Sequence, residues 1–319
     1  MALFLKEDDV RQILTMSMAL EAVEQVLQEH ALGHAVDIPR ERTRIPKSAL
    51  HILQGAVPTR GVIGYKAYTS TREGNRFLLY LYHSELGSLE AIIEADFLGM
   101  MRTGAAGGVA AKWLSRPESS VVGLFGTGWQ AQGQLEALCA VRPIQKVKVL
   151  GRDRERLGIF CEAGSTRFGI EVVPAADGKE AVADSDIVTT VTTSSTPVVQ
   201  HPWIGEGTHL NAVGSNALIR REIDEKTLRQ CGLIAVDSRE VAARECGDLL
   251  PLLEKGRINW GQIPELGAII AGRAPGRSGK SQITLFESQG MAVQDLAVGA
   301  MVLARGRELG LGTELPIGS

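Results

Sequence analysis

The chain has 319 residues, 44% hydrophobic and 22% charged, which is enough for about two domains of roughly 150 residues and excludes collagen-like, coiled-coil and disordered chains. With 34 basic against 37 acidic residues, the net charge of −3 gives no general attraction for a polyanion, so nucleic acid is not an expected partner. The 36 glycines exceed the about 7% share of an average globular chain and call for many tight turns.

Cys139, Cys161, Cys231 and Cys246 form no C-x-x-C pair in a chain too large to need staples, so reduced thiols and a cytoplasmic location are expected. The opening MALFLKEDDV puts acids where a secretory segment needs a basic start. No stretch approaches ~18 uninterrupted apolar residues, so neither export nor membrane spanning is expected.

In chain order, a helical stretch (SMALEAVEQVLQEHALG) precedes two β-rich runs, GVIGYKAYTS and FLLYLYHSELGSLEAII, the second with a hairpin-like turn at Glu85 to Ser88. The helical ADFLGMMRTGAAGGVAAKWLS then leads to Pro117, a natural boundary. Beyond it, short β-rich runs alternate with helical patterns: 121–125, 146–150, 171–173, 186–192, 209–214, 233–238 and 282–286. Such alternation predicts a parallel sheet with crossover helices. A last helix, GMAVQDLAVGAMVLARGRELG, is placed to return to the first domain. The expectation is an α/β chain with a discontinuous first domain, 1–117 and 290–319, around a second at 118–289.

Gly126-Thr127-Gly128-Trp129-Gln130-Ala131 follows the run VVGLF and opens a helix whose Ala131, Leu135, Leu138 and Cys139 form one apolar stripe. In a dinucleotide site the first glycine allows the tight turn and the second lets backbone approach the pyrophosphate. A third small residue lets helix pack on strand, and the phosphates meet the helix N-terminus. Cofactor choice is read after the second strand, where an acid takes the ribose 2′-hydroxyl of NAD and an arginine tolerates the 2′-phosphate of NADP. Gly151 stands where an acid would be most diagnostic, with Arg152 and Arg154 nearby, which leans to NADP(H). Asp153 leaves a ribose contact open, and a purely solvated helix start over 152–156, with no cofactor role, stands as the alternative.

Three other signals carry less. Residues 274–281 (APGRSGKS) fit a relaxed phosphate-loop pattern but follow a helix and precede a strand, the reverse of the required context. His30 and His34 have zinc-like spacing without a third ligand, so no metal is expected. The absence of G-x-S-x-G gives a hydrolase triad no support.

The segment EADFLGMMRTGAA, then GLFGTGWQAQ, then HLNAVGSN, resembles the ornithine cyclodeaminase/mu-crystallin family in order and spacing, and the resemblance runs essentially the whole chain. It implies a homodimer with a Rossmann domain carrying NAD(P)H and a discontinuous α+β domain for substrate binding and dimerisation. Members move hydride between nicotinamide and the α-carbon of an amino acid or its imine, and the mu-crystallin branch includes a hormone-binding lens protein. Carried over by motif, Arg42, Lys66 and Arg102 match the family's cationic substrate residues, a set suited to taking an α-carboxylate out of water. Thr103 matches a cofactor-phosphate contact. Val191, Thr192 and Thr193, with Val213, Gly214 and Ser215, match strand ends beside the nicotinamide ribose.

One departure matters. After Asn211-Ala-Val-Gly214 the cyclodeaminase pattern places glycine or alanine and then an aspartate, whereas this chain has Ser215 and Asn216. An amide does not titrate, so Asn216 argues against deamination with cyclisation and for reduction, with Lys66 or a water as proton source. Asp295 offers a carboxylate near the site or a place on the helix surface. The expected function is NAD(P)H-dependent reduction of an α-imino or α-keto acid to an L-amino acid or N-substituted amino acid. An ornithine or lysine cyclodeaminase, and a non-enzymatic cofactor- and ligand-binding protein, stand as alternatives.

Overall fold

The computed structural model describes residues 1–317; residues 318 and 319, the end of the expected first domain, lie outside the described residues. The chain forms two compact units, the first comprising 1–102 with the chain from 291 onward, the second Thr103–Gly290.

In the first unit, β1 (Ala2–Leu5), α1 (Glu7–Ile13) and α2 (Met16–Ala31) precede a run of strands, β2 (Val36–Ile45), β3 (Ser48–Val57), β4 (Val62–Thr71), β5 (Gly74–His83) and β6 (Leu89–Glu94). Consecutive strands pair antiparallel through β6, which pairs parallel with β1. One face of this sheet is apolar: Leu53, Val57, Leu79, Leu81 and Ile93 are fully or almost fully buried. The helix after the second unit, named α11 below (Ala292–Leu309), covers it, with Gly55, Gly64 and Leu79 approaching Ala292, Leu296 and Gly299. The first half of α11 is buried all round, including Gln294 and Asp295, the two polar residues in an otherwise apolar run. The strands β2 and β3 were not anticipated; in β2, RERTRI exposes charge and alternates poorly.

Helix α3 (Asp96–Leu114) carries the division between units within it, not at Pro117. From Thr103 on, α3 lies tightly against α4 (Trp129–Val141): the Thr103 carbonyl accepts from Gln134 Nε2 at 2.9 Å, and a Cβ on Gly104 would fall 2.3 Å from the Gly133 carbonyl oxygen.

The second unit is a parallel sheet. Its strands are β7 (Val121–Phe125), β8 (Lys146–Leu150), β9 (Glu171–Pro174), β10 (Ile187–Thr190), β11 (His209–Ala212), β12 (Leu233–Val236) and β13 (Thr284–Glu287). Between them run α4, α5 (Arg154–Phe168), α6 (Gly178–Val182), α7 (Glu225–Gln230), α8 (Arg239–Glu245), α9 (Leu250–Glu254) and α10 (Leu266–Ile270). In the order β12-β13-β11-β10-β7-β8-β9 the chain enters at β7, runs out to β9, and returns to the other side of β7 at β10. This is the doubly wound Rossmann arrangement, with its switch point between β7 and β10. β10, buried on both faces, reads IVTT and is apolar or β-branched throughout, whereas the equally buried β11 and β13 admit His209, Asn211 and Glu287. The β14 strand (Thr313–Leu315) returns to pair with β1 in the first unit.

Candidate active site

In the second unit, the segments with cofactor signals all follow C-terminal ends of adjacent parallel strands. Gly126 to Ala131 follow β7, Arg152 and Asp153 follow β8, Val191 to Thr193 follow β10, and Val213 to Ser215 follow β11. Ligands of doubly wound sheets bind at this edge, at the switch point. Gly126 has φ +115°, a conformation that only glycine adopts readily, and a Cβ there would lie 2.6 Å from the Val191 carbonyl oxygen. Gly128 is the N-cap of α4 without a side-chain cap, and the positive end of a helix dipole at such a turn favours an anionic partner. Ala131 is buried and packs with Val122, Leu124 and Leu135. Trp129 and Gln130 are half-buried, as are Thr127 and Thr103, while Thr193 is exposed. The β7–α4 turn therefore fits a dinucleotide pyrophosphate.

The residues after β8 sort differently than their types suggest. Asp153 Oδ1 accepts from the Glu155 and Arg156 N–H groups, at 3.1 Å each, and so caps α5. Arg152 and Arg154 are exposed. At Gly151 a Cβ would sit 2.9 Å from Thr127 Cγ2, so a larger residue there requires Thr127 to shift.

In the first unit, Lys66 lies on the buried face of β4 in one cross-strand row with Leu53 and Leu79. It is 3% exposed, and its Nζ donates to Asp295 Oδ1 at 2.7 Å. Arg102 Nε donates to the same oxygen at 3.0 Å, and Arg102 Nη1 donates to Gln294 Oε1 at 3.0 Å. Asp295 is 0% exposed, so its helix-surface alternative fails; its Oδ2 has no hydrogen-bond partner among the described residues. A single buried carboxylate oxygen of Asp295 thus faces two cations. Burial among leucines holds the Lys66 ammonium down to about 7; Arg102 and Arg40 act the same way, against the pull of Asp295.

Arg40 was not anticipated as part of this set. A register shift between Ile38 and Glu41 turns it inward, where it is buried and acts on Lys66. Arg42, on the same face, is half-buried and pairs in register with His51. Burial and the neighbouring Arg42, Arg40 and Arg44 hold the His51 imidazole down to about 4, so it is neutral near pH 7. Its ring stacks on Tyr68, with centroids 4.2 Å apart and planes 4° apart. Asn216 is half-buried in the connection after β11. His34 lies beyond the end of α2, so its spacing from His30 is not a helical one.

The sequence pattern of the ornithine cyclodeaminase/mu-crystallin family matches residues 1–309, and the chain belongs to that family. It is 32% identical to the alanine dehydrogenase of Archaeoglobus fulgidus across 98% of both chains. Among solved structures, the Thermococcus litoralis Δ1-pyrroline-2-carboxylate reductase in complex with NADH and L-proline superposes with a TM-score of 0.94 at 32% identity, covering 98% of this chain and 100% of that one. An archaeal alanine dehydrogenase dimer with bound NAD gives 0.93 at 32% identity, over 99% of each chain. Among the described residues no helix is long and apolar enough to cross a membrane.

Proposed function

We propose that this chain is an NAD(P)-dependent oxidoreductase that reduces an α-imino or α-keto acid to an L-amino acid or an N-substituted amino acid. The observation that carries the reading is the buried trio of Lys66, Arg102 and Asp295, with the Lys66 ammonium brought near neutrality. A nicotinamide, when bound, supplies the hydride; the proton must come from the protein or from water. Lys66 holds a proton it can release near pH 7, and Asp295 fixes its ammonium in place. Arg102 and Arg42 orient the substrate carboxylate, with Arg40 adding positive charge beside Lys66. Similarity to the alanine dehydrogenase and the Δ1-pyrroline-2-carboxylate reductase supports both open-chain and cyclic substrates. Asn216, where the cyclodeaminase pattern has a titratable acid, speaks against ornithine or lysine cyclisation.

For the cofactor, exposed Arg152 and Arg154, and glycine rather than an acid at position 151, favour acceptance of a 2′-phosphate. A screen of keto acids with ammonia or amines, and of cyclic imines, with NADH and NADPH in parallel, tests both statements. Turnover with a lower KM for NADPH is expected. A strong NADH preference removes the cofactor assignment, and ammonia release with a cyclic product and no net NAD(P)H consumption removes the reductase assignment.

The chain is also read as a homodimer formed through the first unit. Its outer sheet face exposes Val36, Ile38 and Ile63, the last 46% exposed, beside a groove lined by Gly55, Gly64, Tyr65 and Tyr82. Light scattering of purified protein is expected to give twice the chain mass, and Ile63→Glu is expected to give the single chain. A monomeric native protein ends this assignment.

A further inference from the structure

Glu222 lies in the connection after β11, outside every segment to which the sequence assigned a role. Its side chain is 0% exposed, yet it meets the ends of two strands at once. Oε1 accepts the Thr192 N–H at 2.6 Å, while Oε2 accepts the Gly214 N–H at 2.7 Å and the Thr190 hydroxyl at 2.9 Å. One carboxylate therefore binds the backbone following β10 to the backbone following β11.

The anchor is itself anchored. The backbone N–H groups of Glu222 and Ile223 donate to Asp248 Oδ1 at 2.7 and 2.8 Å, and Asp248 is fully buried. Space is tight on the other side as well, because a Cβ on Gly214 would stand 2.5 Å from Glu222 Oε1. Burial pushes the Glu222 carboxyl up from its ordinary value, and the hydrogen bonds from Thr192, Thr190 and Gly214 pull against that. A sheet holds β10 and β11 together only up to Thr190 and Ala212; beyond them the ladder ends and a separate device must fix the loops.

We infer that Glu222 is a positioning residue that clamps the Thr192 and Gly214 segments for the nicotinamide-ribose half of the dinucleotide and leaves the adenosine half untouched. The inference rests on the cofactor reading proposed above. Its selectivity follows from topology: the β7 and β8 ends lie on one side of the switch point and the β10 and β11 ends on the other. The Glu222 carboxylate bonds to Thr190, Thr192 and Gly214, and to none of Gly126 to Ala131 or Arg152, so its loss acts first on the nicotinamide side. Preorganised backbone is what places a reacting ring, and loose loops forfeit that placement.

The test compares a whole dinucleotide with its adenosine half on Glu222→Gln and on Thr190→Val, which removes a single hydroxyl. NADH is paired with ADP, or NADPH with 2′,5′-ADP, and affinities are read by calorimetry beside thermal unfolding. Glu222→Gln replaces one acceptor oxygen with a donor facing donors. It is expected to weaken the dinucleotide about tenfold or more while the adenosine half binds as before. Thr190→Val is expected to give a smaller loss of the same selective kind. Equal weakening of both ligands in either variant, or no weakening in both, overturns the inference. If Glu222→Gln does not fold, Thr190→Val alone decides between the same outcomes. A native protein that binds neither dinucleotide removes the cofactor reading itself.

Discussion

Replacing Lys66 with methionine is expected to lower the turnover number for reduction by about 10²–10⁴-fold, the range lost with a general acid, while cofactor affinity stays close to native. Methionine keeps the unbranched apolar stem between Leu53 and Leu79, so the row across β3, β4 and β5 remains filled. What disappears is the proton. Reduction of a C=N bond places hydride on carbon and needs a proton on nitrogen, and the Lys66 ammonium carries one below about pH 7. In the native protein, kcat/KM for reduction should therefore fall as pH rises through about 7, because the donor is being lost. Oxidation of the amino acid needs the neutral amine as acceptor and should rise across the same interval. Both limbs should vanish in Lys66→Met. Near-native turnover with both limbs intact would show that another group carries the proton.

The residue patterns and the family resemblance do not reach equally far into this site. The second unit is legible because its strands are short β-rich runs between helical patterns: VVGLF and KVKVL are the observed β7 and β8 residue for residue, and the glycine turn sits where strand meets helix. Runs at 186–192 and 209–214 overshoot, since their last residues leave the sheet to form the strand-end segments. The first unit is harder. Its β2 is exposed along most of its length and bears Arg40, Glu41, Arg42 and Arg44 in close succession, so no period-2 apolar signal survives. Lys66 and Arg102 came from the resemblance and not from local pattern, for an isolated lysine in a β-rich run is usually a solvated edge. Asp295 reads either way in an apolar helix, and only a partner 229 residues distant decides that it is buried. Arg40 depends on a register shift, for which Pro39 inside the strand is the one sequence cue. Glu222 gave no cue at all: nothing in the local order Arg221-Glu222-Ile223 marks a side chain that closes on Thr192 and Gly214.

Asp295→Asn should produce the second large effect, and it should appear in stability as well as in turnover. The native carboxylate oxygen accepts from Lys66 and Arg102 together, whereas an amide retains an acceptor but no charge. Two buried cations then face each other without compensation, and breaking a buried pair in this way typically costs about 3–5 kcal/mol. The pH dependence has a defined sign. In the folded native chain Lys66 gives up its proton near 7, while the unfolded chain holds it up to the ordinary lysine value of about 10.4. The unfolded state thus binds more protons between those limits, and the Lys66 contribution makes stability rise with pH across them. Because Asp295 raises the Lys66 value, its removal moves the lower limit below 7. Asp295→Asn should therefore lose most in acidic to neutral solution and least in alkaline solution. Some loss persists there because Arg102 stays charged. The falling limb for reduction should shift to lower pH in the same variant. Chemical denaturation at several pH values, with Lys66→Met/Asp295→Asn alongside, reads the coupling: the double variant should regain part of the stability, one unpaired cation having been removed. A single variant as stable as the native protein at every pH, with an unshifted limb, would mean that Asp295 does not compensate Lys66 and Arg102 in solution.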